Sequence, residues 1–250
     1  MSISIERARS ILSRFPKQRI FVVGDLMLDR YVYGNVSRIS PEAPVPVVNV
    51  THEKSMTGGA SNVAWNIQSL GGRAAVGGVL GADPAGHEIR KLLASRGVSV
   101  QGAMNGQGTR TTVKTRIIAE RQQIVRVDQE DLLDLRGAFL QKFCKRMERE
   151  AAQATGIVIA DYGKGVIRQR VVDLVLKAVA KRKIPSGLDP KDDRHYTIRG
   201  ITVVTPNRKE AFAMSGMSES AIHTEPLKDK MLLEVGRIRE TDGANEVLPA

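Results

Sequence analysis

The sequence predicts an α/β fold, a largely parallel, doubly wound sheet with helices on both faces and a small β-sheet lid. Three observations predict it. Short apolar runs alternate with amphipathic helical patterns along most of the chain, the rhythm of strand–helix–strand units. Three of those runs end in acidic or amide-bearing turns, at Asp25, Asp161 and Asn207, and in a parallel sheet such turns gather at the edge where open α/β folds take ligands. Four further strand-like runs stand outside the rhythm and suit a separate small sheet.

Taken in order, residues 1–19 are polar and helical in pattern, without the apolar stretch of a secretory signal. Arg19 to Val23 reads as a buried strand, and Gly24-Asp25 as the turn at its carboxyl end. Asp29 follows four residues later; either carboxylate could hold a ligand, and either could cap a turn or face solvent. Tyr31 to Gly34 and Val45 to Val50 read as short strands, with Ser40-Pro41-Glu42-Ala43-Pro44 between them confining both to edges or turns.

Thr57-Gly58-Gly59-Ala60-Ser61-Asn62-Val63-Ala64 opens the next helix, with Ala60, Val63, Ala64, Ile67 and Leu70 spaced along one face. Glycines here permit a sharp turn and close approach to a ligand. The first helical turn offers unpaired N–H groups to an anion or hydroxyl, and the Asn62 amide can donate and accept. Ala74 to Val79 is a strand, and Gly81 to Gly86 leads into a helix bearing Ile89, Leu92 and Leu93. Thr111 to Ala119 and Gln122 to Val127 complete the four lid strands, which occupy roughly residues 31–50 and 111–127. The rhythm then resumes: a charged helix to about Ala154, a strand at Ile157 to Ala160, a helix with Val171, Val175 and Val179, and strands at Pro185 to Leu188 and Ile201 to Val204.

At 250 residues the chain suits one domain, and 42% hydrophobic content can fill a core. No run of about 18 apolar residues suggests a membrane span. A single cysteine, Cys144, excludes an internal disulfide, fits a reducing cytoplasm and reads as a small buried hydrophobe. The 38 Lys and Arg against 27 Asp and Glu give a net charge of +11. The basic residues are scattered without aromatic interleaving, so a phosphorylated small substrate accounts for them more economically than nucleic acid. The four His residues lack metal-ligand spacing.

Six stretches together carry a resemblance: Val23-Gly24-Asp25-Leu26-Met27-Leu28-Asp29, Ser40-Pro41-Glu42-Ala43-Pro44-Val45-Pro46-Val47, Gly58-Gly59-Ala60-Ser61-Asn62-Val63-Ala64, Gln123-Ile124-Val125-Arg126-Val127-Asp128, Asp161-Tyr162-Gly163-Lys164-Gly165 and Thr205-Pro206-Asn207-Arg208-Lys209-Glu210. On these the chain resembles the ribokinase-like carbohydrate kinases over essentially its whole length. Within them it resembles the heptose 7-phosphate kinases, stand-alone or as the kinase half of a bifunctional enzyme. The resemblance implies a single kinase domain over residues 1–250, ATP and Mg²⁺ as cofactors, a sugar phosphate as substrate, and a cytoplasmic homodimer formed through the lid.

It also implies sugar hydroxyls held by Asp25, Asp29, Gly58, Gly59 and Asn62, and a 7-phosphate clamp at Arg126, which reads equally as a surface arginine. Asp161 and Lys164 would border the phosphate path, though Asp161 could as well cap the next helix. Asn207, Arg208, Lys209 and Glu210 would serve the nucleotide, with Glu210 reaching Mg²⁺ through water. The family's Gly-Ala-Gly-Asp motif, with its anion hole and general base, is not found; Asp242-Gly243-Ala244-Asn245 does not match it. The resemblance therefore places the base beyond Ala250 and implies a C-terminally shortened chain. The alternative expectation is a non-catalytic sugar-phosphate-binding or dimerising remnant of a kinase.

Overall fold

The computed structural model describes residues 3–191, 196–215 and 246–247. Helix α1 (Ile5–Leu12) and a short 3-10 turn precede β1 (Arg19–Gly24). Next come β2 (Leu26–Ile39), β3 (Pro46–Gly59), α2 (Ala60–Ser69), β4 (Arg73–Leu80), α3 (Pro84–Ser95), β5 (Ser99–Asn105), β6 (Thr112–Ala119) and β7 (Gln122–Gln129). The chain continues through α4 (Gly137–Ala151), β8 (Gly156–Ala160), α5 (Gln169–Arg182), β9 (Ser186–Asp189), β10 (Val203–Val204), α6 (Arg208–Ser215) and β11 (Glu246–Val247).

The main sheet has seven strands in the order β11-β10-β9-β8-β1-β4-β5, every pair parallel. β1 lies inside it and is buried on both faces, which explains its unbroken apolar run. Phe21 and Val23 pack with Phe143 and Met147 of α4 and Val171 and Val175 of α5. Val22, between them, packs with Ala64 of α2 and Ile89 and Leu93 of α3. Successive strand residues point to opposite faces, so two helices cover each side, as a doubly wound sheet requires. Burying each such side chain contributes about 1.5–3 kcal/mol.

A second sheet, in the order β3-β2-β6-β7, forms the lid. It is more extensive than the short runs at 31–34 and 45–50 suggest. β2 and β3 are each 14 residues long and pair antiparallel from Leu26↔Gly59 to Ile39↔Pro46. The prolines occupy only the hairpin end. Polar stretches such as Thr51 to Ser55 are strand because they are exposed lid surface with a paired backbone. β6 pairs parallel to β2, and β7 closes the sheet antiparallel to β6.

Two other expectations are corrected. β5, at the main-sheet edge, is absent from the sequence reading, since Ser99-Val100-Gln101-Gly102-Ala103-Met104-Asn105 holds one β-branched residue. Leu70 does not extend the buried face of α2: it is 66% exposed at the helix end. Cys144 is buried, as expected. Among the described residues no helix is long and apolar enough to cross a membrane. His195, His223 and the stretch Asp242 to Asn245 lie outside the described residues.

Candidate active site

Because β1, β8, β9 and β10 are parallel neighbours, their carboxyl ends bring Asp25, Asp161, Asp189 and Asn207 to one edge. Asp25 is only 2% exposed, and its carboxylate faces the loop after β8. Oδ2 accepts from the backbone N–H groups of Tyr162 (2.8 Å) and Lys164 (3.1 Å), and Oδ1 from that of Val166 (3.1 Å). Burial pushes the Asp25 carboxyl above its ordinary pKa, against the opposing pull of those three donors. Asp161 folds into the same loop, accepting from the Gly163 N–H (2.9 Å) and the Tyr196 hydroxyl (2.7 Å). The loop carrying Lys164 is thus held by two buried carboxylates.

Asp29 lies in β2 instead of a turn, and it fronts the lid face turned toward this edge. Its Oδ1 accepts from Arg116 Nη1 at 2.5 Å, and the bond raises the Arg116 pKa. The Arg116 guanidinium also lies 5.3 Å from the Tyr31 ring centre. Near Asp29, Gly58 is the last residue but one of β3 and pairs with Met27: a Cβ there would lie 2.5 Å from Asp29 Oδ2. Gly59 has φ +55, and a Cβ on it would come within 2.5 Å of the Asp25 carbonyl oxygen. These two glycines let β3 pass directly into α2 against the end of β1. Asn62 is exposed in the first turn of α2.

Arg126, on the outer lid strand, is exposed and bonded to Asp128 at 2.9 Å. Lys114 reaches Asp128 (2.8 Å) and Glu130 (3.5 Å), and Lys164 reaches the same Glu130 oxygen at 2.7 Å. The Lys164 hydrogen bond holds the Glu130 carboxyl below the usual range, and Lys114 does the same for Asp128. A small cavity at the root of the lid is lined by Asp25, Thr109, Arg110, Asp131, Lys164 and Val166.

On the other side, Asn207 and Glu210 form a reciprocal cap at the start of α6. Glu210 Oε2 accepts from the Asn207 N–H (2.8 Å), and Asn207 Oδ1 accepts from the Glu210 N–H (3.0 Å). Glu210 is 6% exposed, with Oε1 4.0 Å from Lys191 Nζ. Its carboxylate is therefore occupied by the helix start, a poor fit for direct metal ligation. Among the described residues no group of three or more His, Cys, Asp or Glu side chains is placed to hold a metal ion. Arg208 and Lys209 are exposed. Between the two halves, burial and the neighbouring Asp189 push the Tyr162 phenol up to about 12. Burial and Glu210 raise the Asp189 carboxyl.

The structure thus gathers Asp29, Gly58 and Gly59, at the root of the lid, near the loop carrying Lys164, turns Asp25 and Asp161 into that loop, and leaves Arg126 at the rim. Sequence reasoning passed over Lys114, Arg116 and Glu130. The signal that could have found them is the spacing Lys114-Thr115-Arg116, which puts two cations on one face of a strand.

Residues 17–237 match the family described as pfkB family carbohydrate kinase. The bifunctional protein HldE of Geotalea uraniireducens is 43% identical over 209 residues, covering 84% of this chain and 43% of that protein. The D-beta-D-heptose 7-phosphate kinase of Bordetella bronchiseptica is 42% identical over 197 residues, covering 79% of this chain and 61% of that one. The chain thus spans less than half the length of the bifunctional relative. Arabidopsis thaliana ribokinase complexed with ribose and ATP superposes with a TM-score of 0.66 at 17% identity, over 93% of this chain and 71% of that one. Escherichia coli phosphofructokinase-2, in its tetrameric inhibited form, gives 0.66 at 21%, over 92% and 72%. These two share the fold, which is ribokinase-like. By its family match and its relatives, the chain belongs to the pfkB family of carbohydrate kinases.

Proposed function

We propose that the chain forms the sugar-binding part of an ATP-dependent kinase acting on D-glycero-β-D-manno-heptose 7-phosphate, with the γ-phosphoryl group passing to the anomeric hydroxyl to give the 1,7-bisphosphate. The observation that carries this reading is the 42% identity, across 79% of this chain, to a protein named D-beta-D-heptose 7-phosphate kinase. The geometry supports it. Asp29 offers a carboxylate beside two glycines whose missing side chains let the backbone pack close against Asp29 and the end of β1, and Asn62 adds an amide from α2. Asp29, Gly58, Gly59 and Asn62 hold hydroxyls in this reading. Asp25 and Asp161 instead position the Tyr162–Val166 loop, since Asp25 already accepts three N–H bonds.

The lid covers the sugar and excludes water, which strengthens each polar contact beneath it. Phosphoryl transfer depends mainly on positioning and charge stabilisation. In this chain Lys164 and the lid cations supply positive charge on the sugar side, and Arg208 and Lys209 supply it on the ATP side. Mg²⁺ belongs to the proposal only as a partner of the ATP phosphates, touching Glu210 through water at most.

Calorimetric titration tests the reading. Heptose 7-phosphate should bind at least about tenfold more tightly than ribose or fructose 6-phosphate, a difference of about 1.4 kcal/mol. Asp29→Ala should weaken that binding by about 1–3 kcal/mol, because the hydroxyl it served is left unpaired. A folded chain that binds all three sugars alike, or none of them, would overturn the assignment.

A further inference from the structure

Lys114 and Lys164 come from different layers of the molecule, the first from lid strand β6 and the second from the loop after β8. Both ammonium groups converge on one oxygen, Glu130 Oε2, at 3.5 and 2.7 Å. Their side chains are only 18% and 23% exposed. Lys114 also reaches Asp128 at 2.8 Å, and Arg126 bonds the same carboxylate, so three cations share two carboxylates and one positive charge is left over beside Glu130. In the β2–β6 pairing Lys114 is also the register partner of Asp29, and adjacent strands lie about 5 Å apart. The pair of lysines therefore adjoins the carboxylate assigned above to the sugar. The backbone beneath Lys164 is fixed by the three hydrogen bonds to Asp25.

We propose that Lys114 and Lys164 form the cradle for the substrate's phosphate monoester, and that Glu130 occupies this cradle in the empty site as an internal competitor that the phosphate displaces. The inference rests on the sugar-phosphate reading above and adds to it which residues recognise the phosphate. A phosphate monoester carries a charge of about −1.5 to −2 near neutral pH, so in place of Glu130 it supplies the negative charge that the two carboxylates leave short. Its oxygens can bond the two lysines separately, while Glu130 must serve both through one atom. A ligand bridging β6 and the post-β8 loop also draws the lid down onto the sheet edge, joining phosphate recognition to site closure. Arg126 does not fill this place, since its guanidinium is half exposed at the rim.

The sign of one substitution separates a competitor from a plain strut. Calorimetry on the full chain would compare heptose 7-phosphate, the dephosphorylated heptose and inorganic phosphate. Glu130→Gln removes the competing charge, so it should tighten binding of heptose 7-phosphate and inorganic phosphate at least about fivefold. Lys164→Gln and Lys114→Gln should weaken both about tenfold or more, the scale of one charge-assisted hydrogen bond. Lys164→Arg, which keeps the charge, should retain most of the affinity. The dephosphorylated heptose should bind all variants within about twofold. Weaker phosphate binding in Glu130→Gln would mark Glu130 as a structural link and overturn the competitor. Heptose 7-phosphate binding unchanged in both lysine variants would remove the cradle and leave the sugar reading standing. The expected pattern with inorganic phosphate, in a chain that ignores heptose 7-phosphate, would keep the cradle and overturn the sugar reading.

Discussion

Asp25 shows how one buried carboxylate can fix a loop that serves a site. Asp25→Ala leaves the N–H groups of Tyr162, Lys164 and Val166 without their acceptor. Each unpaired buried donor costs on the order of 1 kcal/mol or more, so a loss of about 3 kcal/mol in denaturant unfolding is expected. Hydrogen exchange should accelerate first at those three amides. Unchanged protection there would show that the loop holds itself. Gly58→Ala is the second residue-scale prediction: its Cβ would fall 2.5 Å from Asp29 Oδ2. The clash should turn Asp29 away from its present place and weaken heptose 7-phosphate binding about tenfold, with a stability loss of about 1–3 kcal/mol. A calorimetric affinity equal to wild type would place the sugar elsewhere. The sequence made Asp25, Asp29 and the paired glycines visible as polar or small residues at strand ends. It could not say which aspartate faces the loop and which the open site, because that depends on the carboxyl direction after β1 meets β8. For the same reason Asn207 and Glu210 were legible as a pair, yet their reciprocal cap is a local hydrogen-bond geometry that spacing alone leaves open.

The element that sets the lid's position is the corner between α3 and β6. Asp83 caps α3 by accepting from the Gly86 N–H (2.7 Å), and it also accepts from both the N–H and the hydroxyl of Thr111, each at 2.7 Å. The Thr111 hydroxyl in turn accepts from the Gly81 N–H at 2.8 Å. Lid strand β6 therefore leaves the main domain from a fixed point. Burial works to raise the Asp83 pKa, but the bonds from Thr111 and Gly86 outweigh it and leave the carboxyl below its ordinary value. A folded-state pKa lowered in this way adds stability above the unfolded value, near 4, and loses it as pH falls through the folded value. Asp83→Asn should therefore be less stable than wild type at pH 7, with the gap closing below about pH 4; a gap constant with pH would deny the carboxylate this role. Most elements were legible because apolar runs, helical periodicity and glycine turns agree over β1, β4, α3, β8 and α5. The long β2–β3 hairpin was not, since a strand exposed on a lid needs no apolar alternation and takes its stability from paired backbone. β5 was missed because neighbouring β4, not its own composition, makes it a strand.

Across the whole molecule the lid has two unlike faces. Asp29, Tyr31, Lys114, Arg116 and Asp128 alternate onto the face toward the site, and Leu28, Val32, Val113, Ile117, Val125 and Val127 onto the other, as the strand registers require. At its root that second face is buried, with Leu28 and Val113 packed with Ile89 and Leu93 of α3. Farther out it is not: Val125 is 44% and Val127 54% exposed, on an outer strand whose other edge is unpaired within the described sheet. An apolar face on an open-edged sheet invites a second strand set, and two identical lids related by a twofold axis would cover each other's Val125 and Val127. The expected outcome is a dimer in light scattering at tens of micromolar. Val127→Lys, which sets a charge against its own symmetry mate, should shift that dimer to monomer, or weaken it about tenfold or more. Circular dichroism should stay unchanged, since Val127 makes no part of either core. A wild-type chain that stays monomeric with the lid ordered, or a Val127→Lys dimer as tight as wild type, would rule out the lid as the contact between copies.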